Sequence, residues 1–94
     1  MKVSDILCDE SKWTKGALAK DKNGNKVDIH CPDAVCYCIM GAFGKAREFK
    51  NSIHKVWDSI YNIYGNKYKD IPDFNDSSDT TFEDIKKVLE RAGL

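Results

Sequence analysis

The chain has no long apolar run and no excess of charge of one sign, and these two absences exclude whole classes of protein. No segment approaches the roughly 18–20 consecutive apolar residues that a membrane-spanning helix requires. Fifteen basic residues balance fifteen acidic residues, so no overall field favours nucleic acid or a membrane surface. We therefore expect no membrane association, and the sequence carries no strong signal for a nucleic-acid partner.

The start of the sequence does not predict a secretory leader. Residues 1–5 include Lys2, Ser4 and Asp5 and do not begin the apolar core of a signal peptide. We therefore expect a cytoplasmic protein whose four cysteines stay reduced. The composition is typical of a folded protein, with 41% hydrophobic and 11% aromatic residues. A chain of this length is predicted to form one domain, residues 1–94, around a modest core.

Local patterns predict a mainly helical α+β domain, with about four helices packed around one short β-hairpin. The helices are predicted over residues 3–13, 32–46, 49–64 and 80–94. Residues 22–25, Lys-Asn-Gly-Asn, are typical of a tight hairpin turn, because Asn-Gly readily adopts positive φ. Leu18 before this turn, and Val27 and Ile29 after it, are predicted to give the two short strands one apolar face.

The segment 49–64 carries the strongest helical period in the chain. Its apolar side chains fall on one arc about 120° wide, as a 3.6-residue period requires. These side chains are Phe49, Ile53, Val56, Trp57, Ile60, Ile63 and Tyr64. Thr80 and Glu83 are predicted to form a capping box on the last helix. Gly41 and Gly44 lower the helix propensity of the second helix, which indicates that another element approaches closely there.

Residues 30–40, HCPDAVCYCIM, concentrate histidine and cysteine in one short stretch. Structural zinc sites usually combine two well-spaced ligand pairs, and no second pair follows here. On a continuous helix Cys36 and Cys38 would point about 200° apart, so their thiolates would not converge. We therefore predict no metal and no cofactor, and we interpret the cysteines as small apolar fillers. A catalytic Cys31 activated by His30 is the alternative that involves chemistry.

The acidic segment 73–84 has the cadence of a calcium-binding loop, with oxygen-bearing side chains at alternate positions. It lacks the glycine at the sixth place and the glutamate at the twelfth, where Ser78 and Asp84 stand. Turn and capping chemistry explains the same residues, because Asp, Asn and Ser side chains bond to nearby main chain. We predict no metal site in this segment either.

Four blocks of sequence together carry a family resemblance over nearly the whole chain. They are W-T-K-G-A-L-A-x-D-x-x-G from Trp13, P-D-A-x-x-x-C-x-x-G-A from Pro32, an aromatic residue before Asn75-Asp76, and T-F-E-D-I…L-x-x-A from Thr81. In this order they resemble a family of small bacterial and phage proteins that is classed only as a domain of unknown function. The resemblance implies a small helical fold and a bacterial or phage setting, and it implies no known reaction. Phe74 stands where that family usually has tryptophan, and Cys38 is the one cysteine on a family position.

Five residues are candidates for contact with a partner or ligand, and none is predicted to be catalytic. They are Trp13, Asn75, Asp76, Tyr64 and Tyr68. Each also has a structural explanation. Trp13 is the type of residue that anchors a core, Asn75 and Asp76 are typical of a structured turn, and the tyrosines lie near a helix end. Lysines beside the tyrosines would make an aromatic and basic surface if those rings were exposed.

The absence of a catalytic constellation favours a small non-enzymatic binding protein with a protein partner. A phage-encoded inhibitor of a host or defence protein, acting in the cytoplasm of a bacterial cell, is the specific form that the resemblance suggests. A protein that sequesters a small ligand or nucleotide is the alternative, and a cysteine-dependent enzyme is the third hypothesis. Nothing in the sequence indicates the oligomeric state.

Overall fold

Helices account for about half of the fold, which a computed structural model describes over residues 2–47 and 49–94, with residues 49–52 described by their main chain alone. The elements in chain order are α1 (Val3–Ile6), a 3-10 helix (Glu10–Lys12), β1 (Ala19–Lys20), β2 (Cys36–Tyr37), α2 (Ile39–Ala46), α3 (Phe49–Tyr64), α4 (Ile71–Asp76) and α5 (Phe82–Arg91). The predicted α+β class is confirmed. One helix more than predicted is present, because α4 forms inside the segment that was expected to be a loop.

The two strands pair differently from the predicted hairpin. The turn after β1 does form, with the Asp21 amide donating to the Asn25 carbonyl at 2.9 Å and Gly24 at φ +84°. Beyond the turn, however, only an isolated bridge joins Lys20 to Lys26. The regular partner of β1 is β2, which runs antiparallel to it with Ala19 opposite Tyr37. The strand partner therefore lies in a segment that was predicted to be helical.

The prediction that the second helix begins at Pro32 is wrong. The chain makes a turn there instead, in which the Ala34 amide donates to the Cys31 carbonyl at 3.0 Å. Helix α2 begins at Ile39, after Cys38, whose main chain is extended at φ −80° and ψ 174°. The sequence misleads because proline followed by an acid is as typical of a turn as of a helix start. The predicted placement of Cys36 and Cys38 on one continuous helix is wrong for the same reason, because Cys36 lies in β2 and Cys38 precedes α2.

The first predicted helix is broken into two short pieces. Helix α1 ends after one turn, since Leu7 leaves helical geometry at ψ 54°. Asp9 then starts the 3-10 helix by accepting a hydrogen bond from the Ser11 amide at 2.8 Å. Local capping by an aspartate thus interrupts a segment whose apolar period alone favoured one continuous helix.

The apolar stripes predicted for α3 and α5 face each other across the core. Val56 and Ile60 are fully buried on α3, and the buried residues on α5 are Phe82, Ile85, Val88 and Leu89. The hydroxyl of Ser59, also fully buried, donates to the Val88 carbonyl at 3.0 Å and ties the two helices together. The stripes are confirmed at these positions, whereas the side chain of Phe49 lies outside the described part.

The capping box of α5 is shifted by one residue from the prediction. Thr81 and Asp84 form it, with the Thr81 amide donating to the Asp84 carboxylate at 2.9 Å. Thr80 is unavailable as a cap because its buried hydroxyl donates to the Phe74 carbonyl at 2.6 Å. That bond joins the start of α5 to α4.

Membrane insertion finds no support in the helices that the structure describes. None of them combines the length and the apolar character that crossing a bilayer requires.

The close approach that the glycines of α2 indicated is present and involves the main chain. A Cβ atom on Gly41 would overlap the carbonyl oxygen of Leu18, which lies just before β1. A Cβ atom on Gly44 would lie 2.6 Å from Cδ1 of Ile29, the end of a flexible side chain. The first contact cannot be relieved without moving backbone, whereas the second can be relieved by a rotamer change.

The two glycines give a matched pair of stability measurements. We expect Gly41→Ala to lower the free energy of unfolding by about 2–3 kcal/mol, because overlap with main chain forces the segment before β1 away from α2. Gly44→Ala is expected to stay within about 1 kcal/mol of the parent, since the gain in helix propensity offsets the movement of Ile29. Urea unfolding followed by circular dichroism measures both. Equal effects of the two substitutions would contradict the described packing.

Candidate functional site

The carboxamide of Asn75, at the end of α4, is the centre of a buried hydrogen-bond network. Its Oδ1 accepts from the indole N–H of Trp13 at 2.8 Å and from the Ile39 amide at 3.1 Å. Its Nδ2 donates to the Thr14 carbonyl at 3.1 Å and to Oδ1 of Asp76 at 2.9 Å. We call these four bonds the Asn75 hub. They satisfy the full capacity of the amide, two accepted and two donated bonds.

The hub connects three segments that are far apart in the sequence. Trp13 and Thr14 precede β1, Ile39 begins α2, and Asn75 belongs to α4. Asn75 is 1% exposed, so a missing partner would leave a buried polar group unsatisfied. The structural explanation of Trp13 and Asn75, an anchor and a bonded turn, therefore accounts for their hydrogen bonds completely. Their role in contact with a partner stays a prediction.

Asp76 lies at the edge of the hub and is exposed to solvent. Its Oδ1 accepts from the Gly16 amide at 3.0 Å in addition to the Asn75 bond. The ammonium of Lys15, next to Gly16, donates to the Ser77 carbonyl at 2.6 Å and lies 5.3 Å from the centre of the Trp13 ring. The segment before β1 is thus fastened to the C-terminal end of α4 at two consecutive residues, Lys15 and Gly16.

Cys38 caps α2 through its sulfur. The thiol accepts a hydrogen bond from the Gly41 amide at 3.3 Å, and the residue is 8% exposed. Burial raises the pKa of this thiol above its ordinary value, although the bond from the Gly41 amide acts in the opposite direction. A thiol with a raised pKa is a weak nucleophile at neutral pH. The geometry therefore gives Cys38 a capping role.

Two neighbouring clefts open beside the hub. The smaller cleft, of about 240 Å³, is lined by Gly16, Ala17, Leu18, Cys38, Met40, Pro72, Asn75 and Asp76. The larger cleft, of about 470 Å³, is lined by Met40, Ile53, His54, Trp57, Lys69, Asp70, Ile71 and Pro72. Met40 and Pro72 line both clefts, so the two lie side by side between the start of α2, α3 and α4. We call the two clefts together the groove.

Tyr64 and Tyr68, the other two candidate residues, lie on the opposite side of α4 from the groove. Their rings pack against Phe74, with centroids 5.5 and 5.2 Å from its ring. Tyr68 is buried, and Tyr64 is partly buried with its hydroxyl donating to Asp84 at 2.8 Å. Only Tyr61 of this region is an exposed aromatic residue among those described. The structure therefore brings Trp13, Asn75 and Asp76 together and places the tyrosines in a separate aromatic cluster.

The remaining cysteines and histidines do not converge in the described part of the chain. Cys8 is exposed, Cys31 and Cys36 are partly buried, and all are free thiols. Among the described residues no group of three or more His, Cys, Asp or Glu side chains is placed to hold a metal ion. His30 is exposed, and no described hydrogen bond joins its ring to Cys31.

Several groove residues were not among the sequence candidates. Met40 and Pro72 lie in segments predicted as helix and loop, and Trp57 was assigned to the buried stripe of α3. One signal was present in the sequence, because a tryptophan at the edge of an apolar arc often remains half exposed. The join between the two clefts depends on α4, which the local pattern did not predict.

The chain belongs to a family of unknown function, DUF6197, whose model matches residues 1–93. The match confirms membership of an uncharacterised family over nearly the whole chain, and the bacterial or phage setting stays an expectation. No curated protein matches the sequence. No solved structure matches it either.

The hub predicts a strong effect for a nearly isosteric change at Asn75. Asn75→Asp removes both amide donors and places a carboxylate beside the Thr14 carbonyl and Asp76. We expect the free energy of unfolding at pH 7 to fall by about 3 kcal/mol, because a buried charge is left facing acceptors. Asn62→Asp is the matched control, since its amide donates only to the exposed Asp58 carbonyl at 2.8 Å. A change within about 0.5 kcal/mol is expected there, and chemical denaturation compares the two.

The Tyr64–Asp84 bond predicts a pH-dependent effect. The pKa of Asp84 is below its ordinary value, chiefly because the Thr81 amide and, to a lesser degree, the Tyr64 hydroxyl donate to the carboxylate. A lowered folded-state pKa stabilises the fold above the unfolded-state value near 3.8, and this contribution is lost as the pH falls through the folded value.

Tyr64→Phe removes the hydroxyl donor and keeps the ring packed on Phe74. We expect a loss of about 1 kcal/mol at pH 7, and a smaller loss once the pH falls below the lowered folded-state pKa, where Asp84 takes up a proton in the folded protein. Thermal unfolding of both proteins across this pH range measures the difference. A loss that stayed constant down to the lowest pH would contradict the assigned bond.

Proposed function

We propose that the chain is a non-enzymatic binding module that holds a segment of another protein in the groove. The observation that supports this proposal is that Met40 and Pro72 line both clefts, which places the two side by side. A groove between three elements offers an extended path, which suits a polypeptide segment better than a compact molecule. Its walls are already formed by the packing of α2, α3 and α4.

The chemistry of the lining supports a macromolecular partner. Trp57 and Met40 are partly exposed in the larger cleft, and aromatic residues and methionine are enriched in protein interfaces. Leu18, at the far end of the smaller cleft, is 56% exposed. The groove therefore carries apolar surface along its length, and such surface favours burial against a partner.

The polar and nucleophilic groups nearest the groove have bonding partners within the protein. Asn75 has four hydrogen bonds within the protein, and Cys38 is a helix cap with a raised thiol pKa. Free amides at a helix start bind phosphate groups, but in α2 the amides of Ile39 and Gly41 are bonded to Asn75 and Cys38. This arrangement favours binding through apolar contact over catalysis or phosphate recognition.

An inhibitor of a host or defence protein is the specific form of this function that we propose for a bacterial or phage setting. A small-ligand binder is the second candidate, and the volume of the larger cleft favours it. At about 470 Å³ this cleft lies within the range of about 300–1,000 Å³ that is common for ligand sites. Thermal-shift screening with nucleotides tests this second candidate, since a ligand at 100 times its Kd raises the unfolding free energy by about 2.7 kcal/mol.

Peptide selection tests the proposed function directly. A phage-displayed library of random dodecapeptides is selected on the immobilised protein, and the enriched peptides are assayed on two lysine variants. Met40→Lys places a charge where the clefts join, and we expect it to weaken peptide binding at least tenfold, because apolar contact is replaced by a solvated ammonium.

Tyr61→Lys is the matched control for this selection. Tyr61 is 57% exposed on α3 and lines neither cleft, so the same substitution should leave binding unchanged. Circular dichroism and thermal unfolding establish that both variants are folded. Failure to enrich any peptide above an unrelated protein, or equal loss in both variants, would contradict the proposed function.

A further inference from the structure

One oxygen of the Asp76 carboxylate is bonded within the protein, and the residue also lines the smaller cleft. Oδ1 accepts from Asn75 and Gly16, at 2.9 and 3.0 Å. No described residue donates to Oδ2 or forms an ion pair with it. Among the residues that the structure describes, Asp76 is the one charged side chain in the lining of the smaller cleft, which includes no described lysine, arginine or histidine.

The segment 70–79, which includes α4, adds negative charge beside the groove. It contains four aspartates and no basic residue. The larger cleft differs, because its lining includes both Lys69 and Asp70. Lys67 is 3.6 Å from Asp79, away from both clefts. The described lining of the smaller cleft therefore carries charge of one sign, and that of the larger cleft carries both.

Lys15 is the basic residue best placed to form an ion pair with Asp76, because it bonds to the adjacent Ser77. Its ammonium donates to the Ser77 carbonyl at 2.6 Å and lies over the Trp13 ring. No ion pair within 4 Å joins it to Asp76 among the described contacts. The lysine therefore fastens the segment before β1 to the end of α4 and forms no described ion pair with Asp76.

We propose that the partner segment places an apolar side chain in the larger cleft and a lysine or arginine side chain in the smaller cleft, where the cation binds Asp76. This inference rests on the proposed function and names the chemistry of the segment that the groove accepts. The apolar part of the site and the carboxylate are joined through Met40 and Pro72. One short segment can therefore reach both, whereas a free amine would reach only the smaller cleft.

The charge on Asp76 also assigns a specificity role to that residue. Apolar contact alone would accept many segments, because it has no direction. A carboxylate fixed by two hydrogen bonds accepts a cation in one position and repels an anionic side chain, which sets the register of the segment. Since the pair is exposed to solvent, its contribution to affinity is modest and sensitive to salt.

Asp76→Asn is the test variant, because an asparagine keeps Oδ1 as the acceptor for Gly16 and Asn75 while removing the charge. Dodecapeptides selected on the wild-type protein should contain a large apolar residue together with lysine or arginine. Their affinity for Asp76→Asn should be about fivefold lower at 50 mM salt, and the difference should shrink at 500 mM salt. Peptides selected anew on Asp76→Asn should lose the preference for basic residues.

Asp33→Asn is the matched control, since Asp33 is exposed, lines neither cleft and changes the net charge equally. It should leave peptide affinity and selection unchanged. Peptides that depend on Met40 but carry no basic preference would overturn this inference and leave the proposed function standing. The inference is likewise overturned if Asp76→Asn binds basic peptides as well as wild type does. If no peptide is enriched at all, the proposed function fails, and this inference fails with it.

Discussion

The hydrogen-bonding capacity of one buried carboxamide determines how the irregular half of this protein is arranged. Asn75 bonds to the segment before β1, to the first amide of α2 and to its own neighbour in α4. The strands are two residues long, so the sheet itself contributes few bonds to the position of that segment. Side-chain bonds to main chain take over the role that strand pairing has in larger sheets. The groove exists because these bonds hold α2 and α4 at a fixed separation.

The two halves of the fold therefore rely on different interactions. Helices α3 and α5 meet through complementary apolar stripes, and a single buried hydroxyl joins them. The region from Leu7 to Cys38 contains little regular structure and is fastened by polar contacts at Trp13, Lys15 and Gly16. Apolar packing tolerates conservative replacement, whereas a network with every atom bonded tolerates little. Polar substitutions in the irregular half are therefore expected to cost more stability than conservative apolar replacements between α3 and α5.

The parts of the fold that were predictable from sequence are those whose signal is local and repeated. The stripes of α3 and α5 recur every three or four residues, and packing follows directly from that period. The start of α2 was missed because cysteine is an uncommon cap, and its role depends on an extended conformation that β1 imposes. The bond from Trp13 to Asn75 joins residues 62 positions apart, and no local pattern encodes such a partner. The candidate residues were identified by type, but their assembly into one hub, and the groove beside it, required the three-dimensional arrangement.

The sequence distance across the Asn75 hub has a consequence for the order in which the chain becomes structured. Contacts between distant residues form only after the entropy of closing a long loop has been overcome. During synthesis, Trp13 leaves the ribosome long before Asn75, at about 5–20 residues per second. The N-terminal third must therefore wait several seconds, with its indole and its backbone donors solvated, until α4 arrives. A chain that ends before residue 75 leaves its N-terminal segment without the bonds that order it, and quality-control proteases act on such unfolded segments.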